Sequence, residues 1–514
     1  MTMLWTLIKS FARKAAASEI AAVDPLQAGI ASFNAGDFVM ARQHLHAALA
    51  ADPNNRDATY HFALAEARGG RLEQAQKLLE TMRDRHASAD VDNALGNVHR
   101  LQNNLDAAAA SYKRALELDE NHLAALANLG LTLRDLGEPA QALAVLERAL
   151  VLAPAHVDAL FNKALALGDM GESTAAESLL EHVLEIDPDF AQAHLQRAFM
   201  LLKRREFAAG WREYAWRVRI PEVDHWRNYD YPMWQGEELS GKRLLVQAEQ
   251  GLGDQIMFAS CLPDVLANAQ YTVLECDPRL AKLFARSFPR AAVYRHRVTG
   301  EPAWVHEPAP DFCARCGDLP RMLRNGDTDF PMHSGYLLAD PLRVAAWRER
   351  LSGLGAGLKV GISWRGGTPA TGQAMRSMPL EVLLPVLATA DAHFVSLQYG
   401  GVTTEISELQ ARSGVTVHAW EDGKADLDDL AALIASLDLV VTVCTTAAHL
   451  AGALGKRALV MVPAVAEWRY LQSGDSIPWY PALRLLRQQQ LHDWDSVISQ
   501  VKAAIAHQAA SGIT

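Results

Sequence analysis

The 514-residue sequence predicts a mixed α + α/β chain, with a helical solenoid over 22–206 followed by two α/β lobes over 241–490. Three observations lead there. Small residues return every 33 or 34 positions in the first part, at Ala41, Ala75, Ala108, Ala142 and Ala176. Eleven of the 12 tryptophans lie from Trp211 onward, and Trp5 alone precedes them. After Gly241, short apolar runs alternate with helix-like stretches, the pattern of parallel βαβ units. The expected order is an N-terminal segment (1–21), a repeat array (22–206), an aromatic-rich junction (207–240), a first lobe (241–345), a second lobe (346–490) and a last helix crossing back over the cleft (491–514).

The start of the chain, Met1 to Lys9, carries an apolar stretch far shorter than the roughly 20 residues that span a bilayer. No basic leader precedes it and no small-residue cleavage site follows. Residues 1–14 read either as a capping helix or as a short membrane-touching one. Five scattered cysteines do not make a disulfide scaffold. Lys and Arg total 49 against 60 Asp and Glu, a net charge of −11, which argues against a nucleic-acid partner. The expectation is a cytoplasmic protein without stable membrane insertion.

In the array, seven residues beyond each small position come Ala48, Met82, Ala115, Ala149 and Val183, with Leu45, Leu79, Tyr112, Leu146 and Leu180 between. Gly36, Gly70, Gly137 and Gly171 mark turns, and Pro53, Pro154 and Pro188 end helices. Paired helices that cross closely need a small residue at the crossing and apolar neighbours to fill the groove. The pattern resembles the tetratricopeptide repeat, best kept over Asn93–His122 and Leu123–His156. The resemblance implies a concave surface that holds peptides or protein segments; a role in dimerisation or in supporting the second half is the alternative.

The junction brings Trp211, Tyr214 and Trp216, then Trp226, Tyr229, Tyr231, Pro232 and Trp234, a density that predicts packing between domains. The first lobe opens with a strand at Lys242–Gln247 running into Glu249-Gln250-Gly251-Leu252-Gly253-Asp254 and a helix. A strand at Tyr271–Glu275 and a helix at Pro278–Ser287 follow. The second lobe opens at Leu358 and reaches the glycine-flanked loop Trp364-Arg365-Gly366-Gly367-Thr368. It continues through helix Leu380–Ala388, strand Ala392–Leu397, helix Leu427–Ser436, strand Leu437–Val443, helix Ala447–Leu454 and strand Lys456–Val462. Two such lobes place their ligand at the carboxyl ends of the strands.

Several motifs occur in order: Gly251-x-Gly253-Asp254, Val360-Gly361-x-x-Trp364, Arg376-Ser377, Ser396-Leu397-Gln398, Thr445-Thr446-x-x-His449, Gly452 and Gly455, Trp468-Arg469-Tyr470, and Pro478-Trp479-Tyr480-Pro481 with Arg487-Gln488. Together they resemble bacterial fusions of tetratricopeptide repeats with a glycosyltransferase family 9-like, heptosyltransferase-like domain. That resemblance implies a GT-B fold of two Rossmann-like lobes and metal-independent transfer of a sugar. The nucleotide-sugar is a co-substrate, and no cofactor is implied. Some members are implicated in modifying proteins such as flagellin, so a protein acceptor held by the repeats is the expected partner. A ligand-binding scaffold without chemistry, and a transferase with a glycan acceptor in lipopolysaccharide or capsule assembly, remain alternatives.

Asp254 matches the aspartate that takes the acceptor hydroxyl's proton in heptosyltransferases; an acid set against a helix N-terminus is the plainer reading. Gly251 and Gly253 would let the backbone approach a substrate. Thr445 and Thr446, between a strand and a helix, suit a diphosphate or an N-cap. His449 lies one turn further, facing the ligand or packed in the helix. Arg365 and then Arg376 are the candidate cations for the leaving diphosphate. Gln398 ends a strand, where it would read base or ribose, with Trp420 and Asp426 on the same pocket. Trp468, Arg469, Trp479, Tyr480 and Arg487 read as structural, pinning the last helix across the cleft. The family has an acidic residue where this chain has Cys444, and a thiol is a weak partner for a sugar hydroxyl. The pair Cys313 and Cys316 is isolated, and no metal site is expected from it.

Overall fold

The computed structural model describes residues 24–220, 227, 229–297, 300–367, 373–420, 426–491 and 493–510. The helix expected over 1–14, Trp5, Trp226 and Thr368 lie outside them. The chain divides into two compact units at Leu167/Gly168, inside the helix Val157–Asp169.

The first unit is built of helix pairs: Pro25–Asn34 with Phe38–Ala51, Arg56–Arg68 with Leu72–Arg85, Ala89–Leu101 with Leu105–Leu118, and Leu123–Asp135 with Pro139–Leu152. The period is steric. Ala41, Ala75, Ala108 and Ala142 are fully buried on the second helix of each pair. On the first helix, a Cβ added at Gly29, Gly96 or Gly130 would lie 2.5 Å from Leu45, 2.4 Å from Tyr112 or 2.5 Å from Leu146. Each pair thus sets a small residue beneath a large one. The turns at Gly36, Gly70 and Gly137 have φ of 78°, 78° and 81°. Between Ala89–Leu101 and Leu105–Leu118, Asn103 takes this left-handed conformation, φ 59°, a role asparagine tolerates better than most residues. N-caps complete the ends: Asp37, Asn55 and Asn104 accept from the amides of Met40, Ala58 and Ala107 at 2.9, 2.9 and 3.3 Å.

The second unit begins with Ser173–Ile186, Ala191–Lys203 and Phe207–Tyr214, in the same register, with Ala176 and Leu180 buried. Two parallel sheets follow. The first contains β1 (Arg243–Gln247), β2 (Tyr271–Cys276), β3 (Ala291–Arg295) and β4 (Phe312–Arg315), in the order β3-β2-β1-β4. The second contains β5 (Leu358–Ser363), β6 (Ala392–Ser396), β7 (Val417–His418), β8 (Leu439–Val443), β9 (Ala458–Val462) and β10 (Leu483–Arg487), in the order β10-β9-β8-β5-β6-β7. In each sheet the winding reverses beside its first strand, so the loops after β1 and β5 open at the switch points where α/β sheets hold ligands.

Two expectations need correction. The last helix, Asp495–Ala510, does not cross back over the cleft. Its apolar stripe of Val497, Ile498, Val501 and Ile505 is buried with Val360, Leu387 and Phe394, against the second sheet's own face. Trp468 and Trp479 therefore pin something else. The Trp211 ring lies 5.7 Å from that of Trp468 and 6.1 Å from that of Trp479, both edge-on, and its Nε1 donates to the Arg324 carbonyl at 2.8 Å. Phe199 stacks on Trp468 and Phe258 meets Trp479. The last repeat helices, the first sheet and the second sheet share one apolar core through these rings. The segment 380–388 also differs from a single helix: a 3-10 turn, Leu380–Leu383, precedes Leu384–Leu387, with Pro385 entering where its missing N–H costs nothing.

Candidate functional site

A cleft of about 650 Å³ opens at the carboxyl ends of both sheets. Eight of the nine residues singled out as a site line it: Gly253, Asp254, Arg365, Arg376, Gln398, Thr445, Thr446 and His449. Gly251 is not among its lining residues. It holds the N-cap of helix Leu252–Phe258 with φ −77°, a conformation any residue adopts.

On the first-sheet wall, the chain leaves β1 through Gln250, φ 61°, whose Nε2 donates to Tyr214 Oη at 2.5 Å. A Cβ on Gly253 would lie 2.9 Å from His449 Cδ2, so this glycine serves the approach of the two walls. Asp254 Oδ1 accepts from Arg469 Nε at 2.7 Å and also from Nη2. Arg469 Nη1 stands 3.3 Å from Glu467 Oε2, while Glu467 Oε1 accepts from Arg376 Nη1. Arg376 Nη1 also donates to the Cys444 carbonyl at 3.3 Å. Acid and base alternate along this chain: Asp254, Arg469, Glu467, Arg376. Burial works against the Arg469 charge, but the Asp254 and Glu467 carboxylates outweigh it and hold its pKa above the ordinary value.

On the second-sheet wall, Gln398 is buried and bound to the loop after β5. Its Oε1 accepts from the amides of Trp364 and Arg365 at 3.0 and 2.8 Å, and its Nε2 donates to the Arg365 carbonyl at 3.1 Å. It shapes the loop that carries Arg365. Arg365 itself is about a third exposed, with Nη1 2.7 Å from Glu405 Oε2. Gly367 has φ 82°, and a Cβ there would lie 2.2 Å from Arg376 Nη2. Thr445 caps helix Thr446–Ala453, accepting from Ala447 N at 3.2 Å, and its methyl fits beneath Gly366. Thr446 opens that helix and faces the cleft.

His449 is buried, and burial first, then Arg469, lowers its pKa to about 4, with Asp254 opposing. It is a neutral imidazole whose Nδ1 lies 2.9 Å from Tyr480 Oη. Cys444 is 2% exposed and burial pushes its pKa up; its Sγ points to the Met461 carbonyl at 3.8 Å. The backbone of residue 444, rather than its thiol, meets Arg376.

Asp426 caps helix Leu427–Ser436 through Asp429 N at 2.7 Å and bonds Arg343 at 3.0 Å, at the edge of the cleft. Trp420 is not among the lining residues; Arg350 covers it at 4.5 Å and Trp347 lies 5.6 Å away. Arg487 clamps the carbonyls of Tyr470, Leu471 and Gly474. Cys313 packs with Trp304 and Cys316 with the larger core. Among the described residues, no three His, Cys, Asp or Glu side chains are grouped to hold a metal ion. Glu467 and Arg279 also line the cleft, Glu467 adjoining the Trp468-Arg469-Tyr470 motif, and no sequence motif marks either as a site residue.

Family models of the tetratricopeptide repeat match residues 33–98 and 133–199, and a TPR repeat model matches 96–137. The N-terminal region is a tetratricopeptide repeat array. Arrays of such repeats present extended surfaces suited to protein partners. The chain is 36% identical over 330 residues to protein FlbA of Caulobacter vibrioides, covering 61% of this chain and 55% of that protein. It therefore spans little more than half the length of that relative. Among solved structures, it is similar to the TPR protein TTC0263 of Thermus thermophilus (22% identity, 34% of this chain, 95% of that one, TM-score 0.31). It is also similar to MamA (24%, 33% and 92%, TM-score 0.28). YrrB, described as a TPR protein with an unusual peptide-binding site, is 21% identical over 36% of this chain and 97% of its own, with a TM-score of 0.28. Among the described residues, no helix beside the repeat array or within it is long and apolar enough to cross a membrane.

Proposed function

We propose that the second unit is a glycosyltransferase of GT-B type, moving a sugar from a nucleotide-sugar to a protein acceptor, of flagellin type, that the repeat array holds. The carrying observation is one cleft at the strand carboxyl ends of two parallel sheets that gathers Asp254, Arg365, Arg376, Thr446 and His449. In this reading the donor diphosphate lies at the N-terminus of helix Thr446–Ala453, where the helix dipole favours an anion. Arg365 and Arg376 stand beside it as the cations that neutralise the leaving group. The acceptor oxygen attacks the anomeric carbon and its proton passes to the Asp254 carboxylate. The bond from that carbon to the phosphate oxygen breaks, and the nucleoside diphosphate leaves with the electron pair.

The Asp254–Arg469 pair also supports a second reading, a scaffold that binds a nucleotide without chemistry, because two Arg469 hydrogen bonds already occupy the Asp254 Oδ1 that would meet an acceptor hydroxyl. A thermal-shift panel of nucleoside diphosphates and nucleotide-sugars tests what the two readings share. At least one compound should raise the melting temperature of the native chain and raise it less for Thr446→Val. No shift with any compound would remove both readings.

A further inference from the structure

Two arginines of the cleft converge on one carboxylate. Arg376 comes from the short helix Gln373–Arg376 and Arg469 from the turn Trp468–Tyr470. Glu467 lies between them, one oxygen accepting from Arg376 Nη1 and the other 3.3 Å from Arg469 Nη1. The arginines are mostly sheltered, with side chains 12% and 18% exposed, and Glu467 is 31% exposed. Both guanidiniums are held from behind. Arg376 lies against the main chain at Gly367, where no Cβ fits, and bonds the Cys444 carbonyl. Arg469 is fixed through Nε by Asp254, which leaves its Nη1 edge toward Glu467.

We propose that Arg376 and Arg469 form a two-arginine seat for the phosphate oxygens of a diphosphate ester, and that Glu467 is an internal occupant the ligand must displace. The proposal takes its ligand class from the transferase reading above and adds two residues, Arg469 and Glu467, that the reading did not assign. Guanidinium forks match phosphate and carboxylate alike, so a side-chain carboxylate between two of them is a fair copy of one phosphate edge. Thr446 and the start of its helix line the same cleft, so a diphosphate that reached the arginines would also meet the positive end of that helix. Glu467 brings one negative charge and a diphosphate brings more, so the ligand wins the seat. The carboxylate weakens that binding and gives both arginines a partner when the ligand leaves.

Isothermal titration of inorganic pyrophosphate into the full chain, at fixed ionic strength, tests the seat. Glu467→Gln should bind pyrophosphate about tenfold more tightly than the native chain, because a neutral amide competes less for the guanidiniums. Glu467→Asp, which keeps the charge, should stay within about threefold of native. Arg376→Ala should weaken binding, and in that background Glu467→Gln should tighten it less than about twofold, because the carboxylate then has one arginine fewer to block. Unchanged or weaker binding in a folded Glu467→Gln chain would overturn the proposal. So would equal tightening with and without Arg376, which would mean a general charge effect. Turnover is read separately on nucleotide-sugars. Tighter pyrophosphate binding without turnover of any donor would keep the seat and remove the transferase; turnover with no tightening in Glu467→Gln would do the reverse.

Discussion

Gly253 lies against the ring of His449, so closely that a methyl group at residue 253 would sit 2.9 Å from Cδ2 and 3.3 Å from Nε2. Here helix Leu252–Phe258, which follows β1 of the first sheet, meets helix Thr446–Ala453, which follows β8 of the second. His449 has no room to retreat, being buried with Tyr480 at its Nδ1 and Tyr480 in turn packed against Gly452. Gly253→Ala should therefore cost about 1–3 kcal/mol of stability, the usual range for overpacking. Gly251→Ala, with an ordinary φ and 3.6 Å to its nearest neighbour, should stay within about 0.5 kcal/mol of native. Urea denaturation of the two variants checks this; equal losses would show that the glycines are not distinct.

The same histidine sets a pH dependence. Its pKa is about 4 in the folded chain, lowered first by burial and then by Arg469, and about 6.5 once unfolded. Between pH 6.5 and 4 the unfolded chain takes up the proton and the folded one does not. The group's contribution is thus complete above pH 6.5 and is lost as pH falls toward 4, by at most about 3 kcal/mol. Stability of the native chain should fall over that window more steeply than that of His449→Gln. Parallel slopes from urea midpoints at several pH values would contradict the assignment of a neutral His449.

The aromatic cluster makes the end of the repeat array part of the second unit. Trp211 is 1% exposed and touches Tyr214, Phe258, Trp468 and Trp479. Trp211→Ala should cost about 3–5 kcal/mol. It should also loosen the turn Trp468–Tyr470, which presents Arg469 to the cleft. Hydrogen exchange should then rise at Trp468–Leu471 as well as in Ala191–Lys203; exchange confined to the repeat helix would argue against this coupling.

The helix pairs were legible because their rule is local: a small residue sits under a large one and a left-handed residue makes the turn. Asn103 and Arg205 hid two of those turns, since they adopt φ of 59° and 66° without being glycine. Strand β10 was illegible because Arg484 and Arg487 interrupt its apolar run at the sheet's edge, and β3 because its residues are only half-buried. Gln398 was legible as a position, the end of a strand. Its role was not, because the amides it binds belong to a loop 33 residues away in sequence. Glu467 had no signal of its own, as its place between Arg376 and Arg469 exists only after folding.

Turnover decides whether this cleft transfers sugar. The native chain, Asp254→Asn and Asp254→Ala would each be incubated with a panel of nucleotide-sugars and a candidate acceptor protein, with released nucleoside diphosphate and acceptor mass both followed. One donor should be consumed, and the acceptor should gain one sugar mass per transfer. Both variants should lose about 10²-fold or more in rate while still binding the donor. Turnover that survives Asp254→Ala would remove that residue as the base. A native chain that binds donors yet consumes none, with any acceptor tried, would contradict the claim that this cleft transfers sugar.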